Sequence, residues 1–432
     1  GNSLLSQAIN ALAAQGVVFV NSAGNNGDVQ FHFKRAFAGD TLRSRIQFYS
    51  YSANPNMWGQ SISLWGEAGQ PFSAGFMVTS NTNQVLAETP WYGTADQEPY
   101  LDSLLVVGTD TVFFNLTAEA AHPQNGRPHL RLRVKNRSAY IKVALKVTAA
   151  AGTVHGWNVT ELTTGVGNWG QAFQASAAGW AAGDSQYGIS EPATTEGLIS
   201  VAAFSSEYPL SNGTVQGGTI AGFSSYGPTL DERMKPDIAA PGMSVASAIS
   251  SFTDASYNPN QTITFQGQPY AFARLSGTSM SSPVVAGIAA LLLQADPTLT
   301  PEEVKALLKS TARTDQHTGT LPPGGSPRWG MGKVNAYRAL TEALGIVSVP
   351  TLGGWGIGIW PNPAADEVQV ALPAAAVRVQ YRITDATGRT VLTAAARGSA
   401  QLVIDVAHLA PGCYLLAVEA DGHRSSARFV KR

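Results

Sequence analysis

The sequence holds one cysteine, Cys413, among 432 residues, so no disulfide can close within the chain. Taken alone that absence points to a reducing compartment, but many exported bacterial proteins simply lack cysteine, and it does not decide the matter. Cys413 stands in Gly-Cys-Tyr-Leu-Leu, which reads as a small buried strand residue rather than a reactive thiol. Charge is scarce as well: 13% of residues, a formal net charge of -1 and no basic stripe, so no nucleic-acid partner is expected. No apolar run approaches the ~20 residues that span a bilayer, so no transmembrane segment is expected. Gly1 is preceded by neither an initiator Met nor a signal peptide, and the chain reads as a fragment or a processed form. What remains is an ordinary globular composition, 44% apolar, with length for two or three domains.

The most informative stretch runs from Leu275 to Gly287, where small residues pass through Ser279 into an apolar segment, Val284 to Leu293. The pattern predicts a helix buried on nearly all sides, with Pro283 in its first turn. Ser279 then sits at the helix mouth, where free amides and the positive dipole end favour negative charge. Gly277 and Thr278 keep the approach narrow. A lone serine there is an N-cap; with oxyanion-holding amides around it, it is also a candidate nucleophile for acyl transfer.

Earlier in the chain, Leu4, Leu5, Ala8, Ile9 and Leu12 share one helical face, and Gly16 ends that helix. Val17 to Val20 reads as a strand buried on both faces, as in a parallel sheet, ending in the polar turn Asn21-Ser22-Ala23-Gly24-Asn25-Asn26-Gly27. Ligands of such sheets gather at the carboxyl ends of strands. From 28 to 187 the text changes to alternating strands separated by turn clusters, the pattern of a β-sandwich inserted into a surface loop. Its tryptophans Trp58, Trp65, Trp91, Trp157 and Trp169 are expected in the core or in strand pairs, and His155 as a surface or core histidine. The α/β text resumes over 188–345, with the buried strand Leu198 to Ala203, an Asp237 suited to a turn or an ion pair near Lys235, and a capping box at Thr300-Pro301-Glu302-Glu303. Residues 346–358 read as a linker, and 359–432 as a small β module with a hairpin at Asp385–Arg389.

The string Gly277-Thr278-Ser279-Met280-Ser281-Ser282-Pro283 resembles the nucleophile signature of the subtilisin-like serine proteases. Ala23-Gly24-Asn25, Phe223 to Pro228, Lys235 to Gly242 and Gly330 to Ala336 are similar to further segments of that family's catalytic domain. The resemblance implies an α/β fold, a subtilisin-like parallel sheet flanked by helices and incomplete at the N-terminus. To this are added the inserted β-sandwich and a C-terminal Ig-like β-sandwich. It implies catalysis by Ser279 with Asn25 as oxyanion donor, and Gly277, Thr278, Ala23 and Gly24 as oxyanion and substrate-binding residues. The substrate would be a protein or peptide. No cofactor is required; structural calcium is common in the family and is not placed on any residue here.

The family's triad runs Asp, His, Ser along the chain, and its Asp and His precede the Ala-Gly-Asn strand. No Asp or His occurs among residues 1–24, and none of the seven histidines stands in a matching motif. The expectation is therefore that Asp and His lie upstream, either in sequence preceding Gly1 or on a separate N-terminal half, and that this chain alone is inactive. The general base is worth about 10⁶ in turnover, a value taken from subtilisin itself. The alternative is a degenerate protease that binds a partner at the cell surface through the inserted domain. The tail, with Pro361-Asn362-Pro363, Asp385 to Arg389, Leu409 to Tyr414 and a basic end, resembles the C-terminal sorting domain of the Bacteroidetes type IX secretion route. That implies the type IX machinery as a partner and a product secreted or attached to the outer membrane of a Gram-negative bacterium.

Overall fold

In the computed structural model, residues 1–163, 165–210, 214–250, 252, 257–345, 357–421 and 423–432 are described. The chain divides into two units, Gly1–Gly345 and Ile346–Arg432. Most of the expected linker, 346–356, lies outside the described residues.

The first unit opens with helix α1 (Leu4–Ala13), capped by the Ser3 side chain. Its inward side is not the leucine stripe: Leu4, Leu5 and Leu12 are exposed, Leu4 by 75%, while Ser6, Ile9 and Ala13 are buried. Polar anchors decide this orientation, since Thr195 Oγ1 donates to Ser6 Oγ at 2.8 Å and Gly197 N–H to Asn10 Oδ1 at 2.8 Å. Helical period alone carries no information about such bonds. Strand β1 (Phe19–Ser22) follows and is half-buried throughout, because it lies at a sheet edge among the described residues and pairs with one neighbour.

The inserted region contributes thirteen strands: β2 (His32–Ala36), β3 (Thr41–Ile46), β4 (Met57–Trp65), β5 (Phe72–Ser80), β6 (Val85–Glu88), β7 (Tyr92–Gly93), β8 (Leu101–Val107), β9 (Asp110–Glu119), β10 (His129–Lys135), β11 (Ile141–Ala149), β12 (Thr153–Leu162), β13 (Gly165–Gly170) and β14 (Phe173–Gln174). One sheet has the order β13-β12-β4-β10-β9-β8 with β2 beside β12; the other runs β14-β3-β11-β5-β6 with β7 beside β5. Alternation along each strand sends Ile62, Leu64, Leu116, Leu130 and Leu132 of the first sheet against Phe76, Val78, Leu145 and Phe173 of the second. Of the five tryptophans expected in the core or in strand pairs, none is fully buried, while Trp65 does pair across strands, stacked on His129. The rings of Trp58 and Trp91 lie under Arg133 and Lys146, where an amphipathic ring keeps one face wet.

The parallel sheet then resumes with β15 (Leu198–Ser205), central between β1 and β18, followed by the short hairpin β16 (Tyr208–Pro209) and β17 (Val215–Gln216). β18 (Ile238–Met243) completes the sheet. Three antiparallel strands, β19 (Val245–Ala248), β20 (Gln261–Phe265) and β21 (Gln268–Leu275), lead into α2 (Thr278–Ala295). Helices α3 (Pro301–Ser310), with its complete capping box, and α4 (Ala336–Ala343) close the unit. Val285, Ile288, Ala289 and Leu292 of α2 pack on Ile199, Val201, Ile238 and Ala240. The opposite side of α2 carries exposed Ala286, Gly287, Ala290 and Leu291, so the helix is not buried all round. α2 begins five residues before Pro283, which therefore sits in its interior. By length and apolarity its 18 residues pass as a membrane span, yet its packing on the sheet is that of a core helix.

Two buried charge clusters pin this layer. Lys235 Nζ meets Asp237 at 2.6 Å, both nearly inaccessible, and Ser200 N–H donates to the same carboxylate at 2.8 Å. Burial pushes the Lys235 ammonium down to about 8, against the pull of Asp237. The fully buried Lys333 Nζ lies 2.5 Å from Glu207 and 2.6 Å from Asp315.

The second unit is an antiparallel array of β22 (Gly358–Trp360), β23 (Glu367–Asp385), β24 (Thr390–Asp405), β25 (Gly412–Ala420) and β26 (His423–Lys431). By hydrogen bonding it is a single sheet, ordered β22-β23-β25-β26 with β24 on β23, rather than the two separate sheets expected of an Ig-like sandwich. Pairing of β23 with β24 breaks after Ala371, so both long strands serve two stretches of the sheet around one core of Val368, Val370, Ile383, Ile404, Leu416 and Phe429. Cys413 is exposed, not buried: Tyr414, Leu416 and Val418 take the inward phase of β25 and leave Cys413 outside.

Candidate active site

The turn after β1 and the start of α2 meet at the carboxyl edge of the parallel sheet. Ala23 N–H donates to Val201 O and Ser190 N–H to Ala23 O, which fixes the strand end on both sides. Ala23 itself is completely inaccessible, packed with Ile189 and Ala193, so it backs the wall of the site rather than lining it. Gly24 does line it, with φ at +114°, and a Cβ there would lie 2.2 Å from Ser190 Oγ.

Asn25 is held by the helix it faces. Thr278 N–H and Thr278 Oγ1–H both donate to Asn25 Oδ1 at 2.9 Å, while Thr278 Oγ1 accepts from Gly24 N–H at 3.1 Å. An amide oxygen tied to two donors fixes the orientation of its nitrogen. Asn25 Nδ2 donates to no protein acceptor among the described residues. Gly277 caps α2 with φ +154° and ψ +158°, a region reserved for glycine, and its position passes 3.6 Å from Asn25 Nδ2 when extended by a Cβ.

Ser279 is exposed in the first turn of α2. Among the described residues neither its hydroxyl nor its backbone N–H has a partner, as befits one of the four orphan amides of a helix start. It borders two cavities. One, of about 390 Å3, is lined by Ser22, Gly24, Asn25, Trp169, Glu191 and Thr278. The other, of about 480 Å3 and mostly apolar, is lined by Val245, Tyr257, Leu275, Met280 and Val284. Ser279, Thr278, Asn25 and Gly24 are thus brought together, across 254 positions of sequence between Ser279 and Asn25.

Among the described residues, no histidine or aspartate lines either cavity. His32 and His155 are buried within the sandwich side, His32 Nδ1 2.8 Å from Asp184 and His32 Nε2 3.1 Å from His155 Nδ1. Desolvation lowers the basicity of both, of His155 to about 3. Asp315, which shares a loop with His317, is committed to Lys333 and Arg313.

Three cavity residues escape the sequence reading. Glu191 accepts from the Ser3 hydroxyl, and Ser190 packs on Gly24; both follow the end of the insertion, where only the return of α/β text marked them. Trp169 comes from the inserted sandwich itself, whose strand β13 is joined to the site by Gly170 N–H donating to Asn26 Oδ1 at 2.9 Å. Nothing in a single sequence signals that proximity.

A serine with free hydroxyl and amide at a helix mouth, beside an oriented carboxamide donor, is the arrangement of an acyl-transfer serine hydrolase. The family model described as "Subtilase family" matches residues 1–332, and the chain belongs to the subtilase family. A second model, "Secretion system C-terminal sorting domain", matches 358–432, which indicates a secreted or cell-surface protein. The chain is 41% identical over 166 residues to the serine protease AprX of Bacillus subtilis, covering 38% of this chain and 34% of AprX. It is 36% identical over 154 residues to an extracellular protease of Xanthomonas campestris pv. campestris, covering 35% of this chain and 21% of that one. The chain thus spans about a third or less of these relatives. Among solved structures, the CspB protease of Clostridium perfringens shares the fold with a TM-score of 0.54 at 20% identity, over 80% of this chain and 63% of that chain.

Proposed function

We propose that the protein is the nucleophile-bearing part of a secreted subtilisin-type serine endopeptidase. Ser279 Oγ attacks the carbonyl carbon of a peptide bond, the bond to nitrogen breaks as the amine leaves with a proton, and an acyl ester forms on Ser279. Water then cleaves that ester. The negative oxygen of each tetrahedral intermediate is held by Ser279 N–H and Asn25 Nδ2, and Thr278 fixes the direction of the second donor. The single observation that carries this reading is the pair of unpartnered donors, the Ser279 amide and the Asn25 carboxamide, beside one hydroxyl.

A base must take the Ser279 proton and return it to the leaving amine. Among the described residues of the first unit no histidine borders this hydroxyl, so we assign the triad Asp and His to sequence outside this chain, either upstream or on a companion polypeptide. The sorting domain hands the protein to the type IX machinery, for delivery to the outer surface of a Gram-negative cell.

The test is fluorophosphonate labelling of the full-length precursor and of residues 1–432 separately. The precursor should label at Ser279, lose labelling as Ser279→Ala, and hydrolyse casein. Residues 1–432 alone should do neither. A precursor that folds and stays unlabelled points instead to a surface-binding role for the inserted domain, and labelling of the isolated chain refutes the external base.

A further inference from the structure

We propose that Glu119, His122 and His129 form a binding site for a zinc-class divalent transition metal on the inserted sandwich. One potential ligand atom from each of the three lies within 4.8 Å of the other two. About 2.0–2.1 Å from a tetrahedral Zn2+, ligand atoms sit about 3.4 Å apart, so small side-chain rotations close the site.

The hairpin joining β9 to β10 builds the arrangement. Glu119 and His129 are directly opposite each other in the strand register, so their side chains stand on one face. The intervening loop is tight: His122 N–H donates to Arg127 O at 2.8 Å and Gly126 N–H returns to His122 O at 2.8 Å. This folds His122 back beside the pair. Trp65 then braces both imidazoles, stacked 4.0 Å from His129 and edge-on 5.0 Å from His122.

An independent observation points to a missing partner. Glu119 Oε2 is buried and has no hydrogen-bond partner among the described residues. A buried carboxylate oxygen left unmatched is costly, and a cation matches it. The outer contacts suit metal ligation too. His129 Nε2 lies 3.2 Å from Ser63 Oγ, which leaves Nδ1 as its ligand atom and anchors the far side of the ring. His122 has only a long 3.4 Å contact from Gln124 N–H to give up. Arg131, the nearest cation along β10, is engaged by Glu161 at 2.7 Å. Two imidazoles and one carboxylate select Zn2+, Co2+ or Ni2+ over Ca2+, which prefers six to eight oxygens.

The site shares no residue with the Ser279 cavities, and its test does not depend on proteolysis. The tag-free, chelator-treated chain is titrated with ZnCl2 by calorimetry and with CoCl2 by visible absorption, and its Tm is followed. One equivalent of Zn2+ should bind and raise Tm, with no response to CaCl2. His122→Ala and Glu119→Gln should each weaken Zn2+ binding by about tenfold or more with unchanged circular dichroism, the order seen when metal-site residues are altered. Cys413→Ser and His317→Ala should leave it unchanged. Absence of saturable Zn2+ uptake overturns the proposal. So does binding that survives both hairpin variants or follows Cys413 or His317.

Discussion

Lowering the pH should destabilise the first unit through its buried histidine pair. His32 Nδ1–H donates to Asp184, so His32 Nε2 presents its lone pair to His155 Nδ1–H. A proton added to His32 Nε2 would set two N–H groups against each other; one added to His155 enters a pocket walled by Trp157 and Tyr187. Desolvation therefore holds His155 neutral down to about 3, with His32 and Lys34 adding repulsion and Glu232 opposing it. The unfolded chain protonates the same residue near its usual 6.5. Between those values the unfolded state binds more protons, so stability is full above 6.5 and is lost as pH falls towards 3. From pH 7 to 4.5 this amounts to about 2.5 kcal/mol for His155, and about 5 kcal/mol if followed to completion. His32 is shifted in the same direction and adds to the slope. Urea unfolding at the two pH values, in wild type and in His155→Gln, isolates the effect. Glutamine keeps an N–H for His32 and does not titrate, and differences between the two chains cancel the other histidines. The wild type should lose about 2.5 kcal/mol more than the variant. Equal losses, or a His155 resonance that titrates near 6.5 in the folded chain, would refute the reasoning.

The remaining expectations concern the site and its supports. In the full-length precursor, Asn25→Ala should lower kcat by about 10²–10³-fold with little change in KM, the order known for removing one oxyanion donor in subtilisin. Gly277→Ala forces a Cβ onto a glycine-only backbone region beside Asn25 Nδ2; chemical unfolding should show a loss of about 1–3 kcal/mol. Lys333→Met leaves Glu207 and Asp315 with Arg313 as their remaining cation and should cost about 1–3 kcal/mol, readable as a lower urea midpoint. Trp169→Ala, on the exposed cavity rim, should leave the fold intact by circular dichroism and raise KM for peptide substrates while sparing kcat.

How much of this was legible in the sequence depends on which physical signal each element carries. The Thr300 capping box is a local pattern, and the hydrogen bonds follow it. The strings around Asn25 and Ser279 are likewise local, and the fold brings them to one cavity. Burial was the weaker reading wherever it depended on neighbours. The apolar runs of β1 and α2 invite a covering layer on every side, yet β1 has one strand partner and α2 exposes Ala286 and Leu291. The leucines of α1 obey a helical period while Ser6 and Asn10 choose the inward face through hydrogen bonds. Cys413 shows the same limit in a strand: alternation identified the two faces of β25, and only the position of Tyr414 decided which was core.

The tie between the inserted sandwich and the site follows from the same distinction. Asn26 is the residue after the candidate oxyanion donor, and its Oδ1 accepts from Gly170 N–H, one residue beyond the Trp169 that walls the cavity. A domain inserted purely as decoration would need no bond at that point, because the turn after β1 is already held by Val201, Ser190 and Ser225. The extra anchor places the end of β13 at the cavity that Asn25 lines. The Gly170 N–H bond to Asn26 and the Trp169 indole both lie at this end of β13, next to the wall facing Ser279. Asn26→Ala, which removes that bond and leaves Asn25 and Thr278 untouched, separates the two ideas. If the sandwich shapes the site, KM in the full-length precursor should rise as it does for Trp169→Ala, and the double variant should add little to either single one. Independent, additive effects would show that Trp169 and Asn26 act without each other.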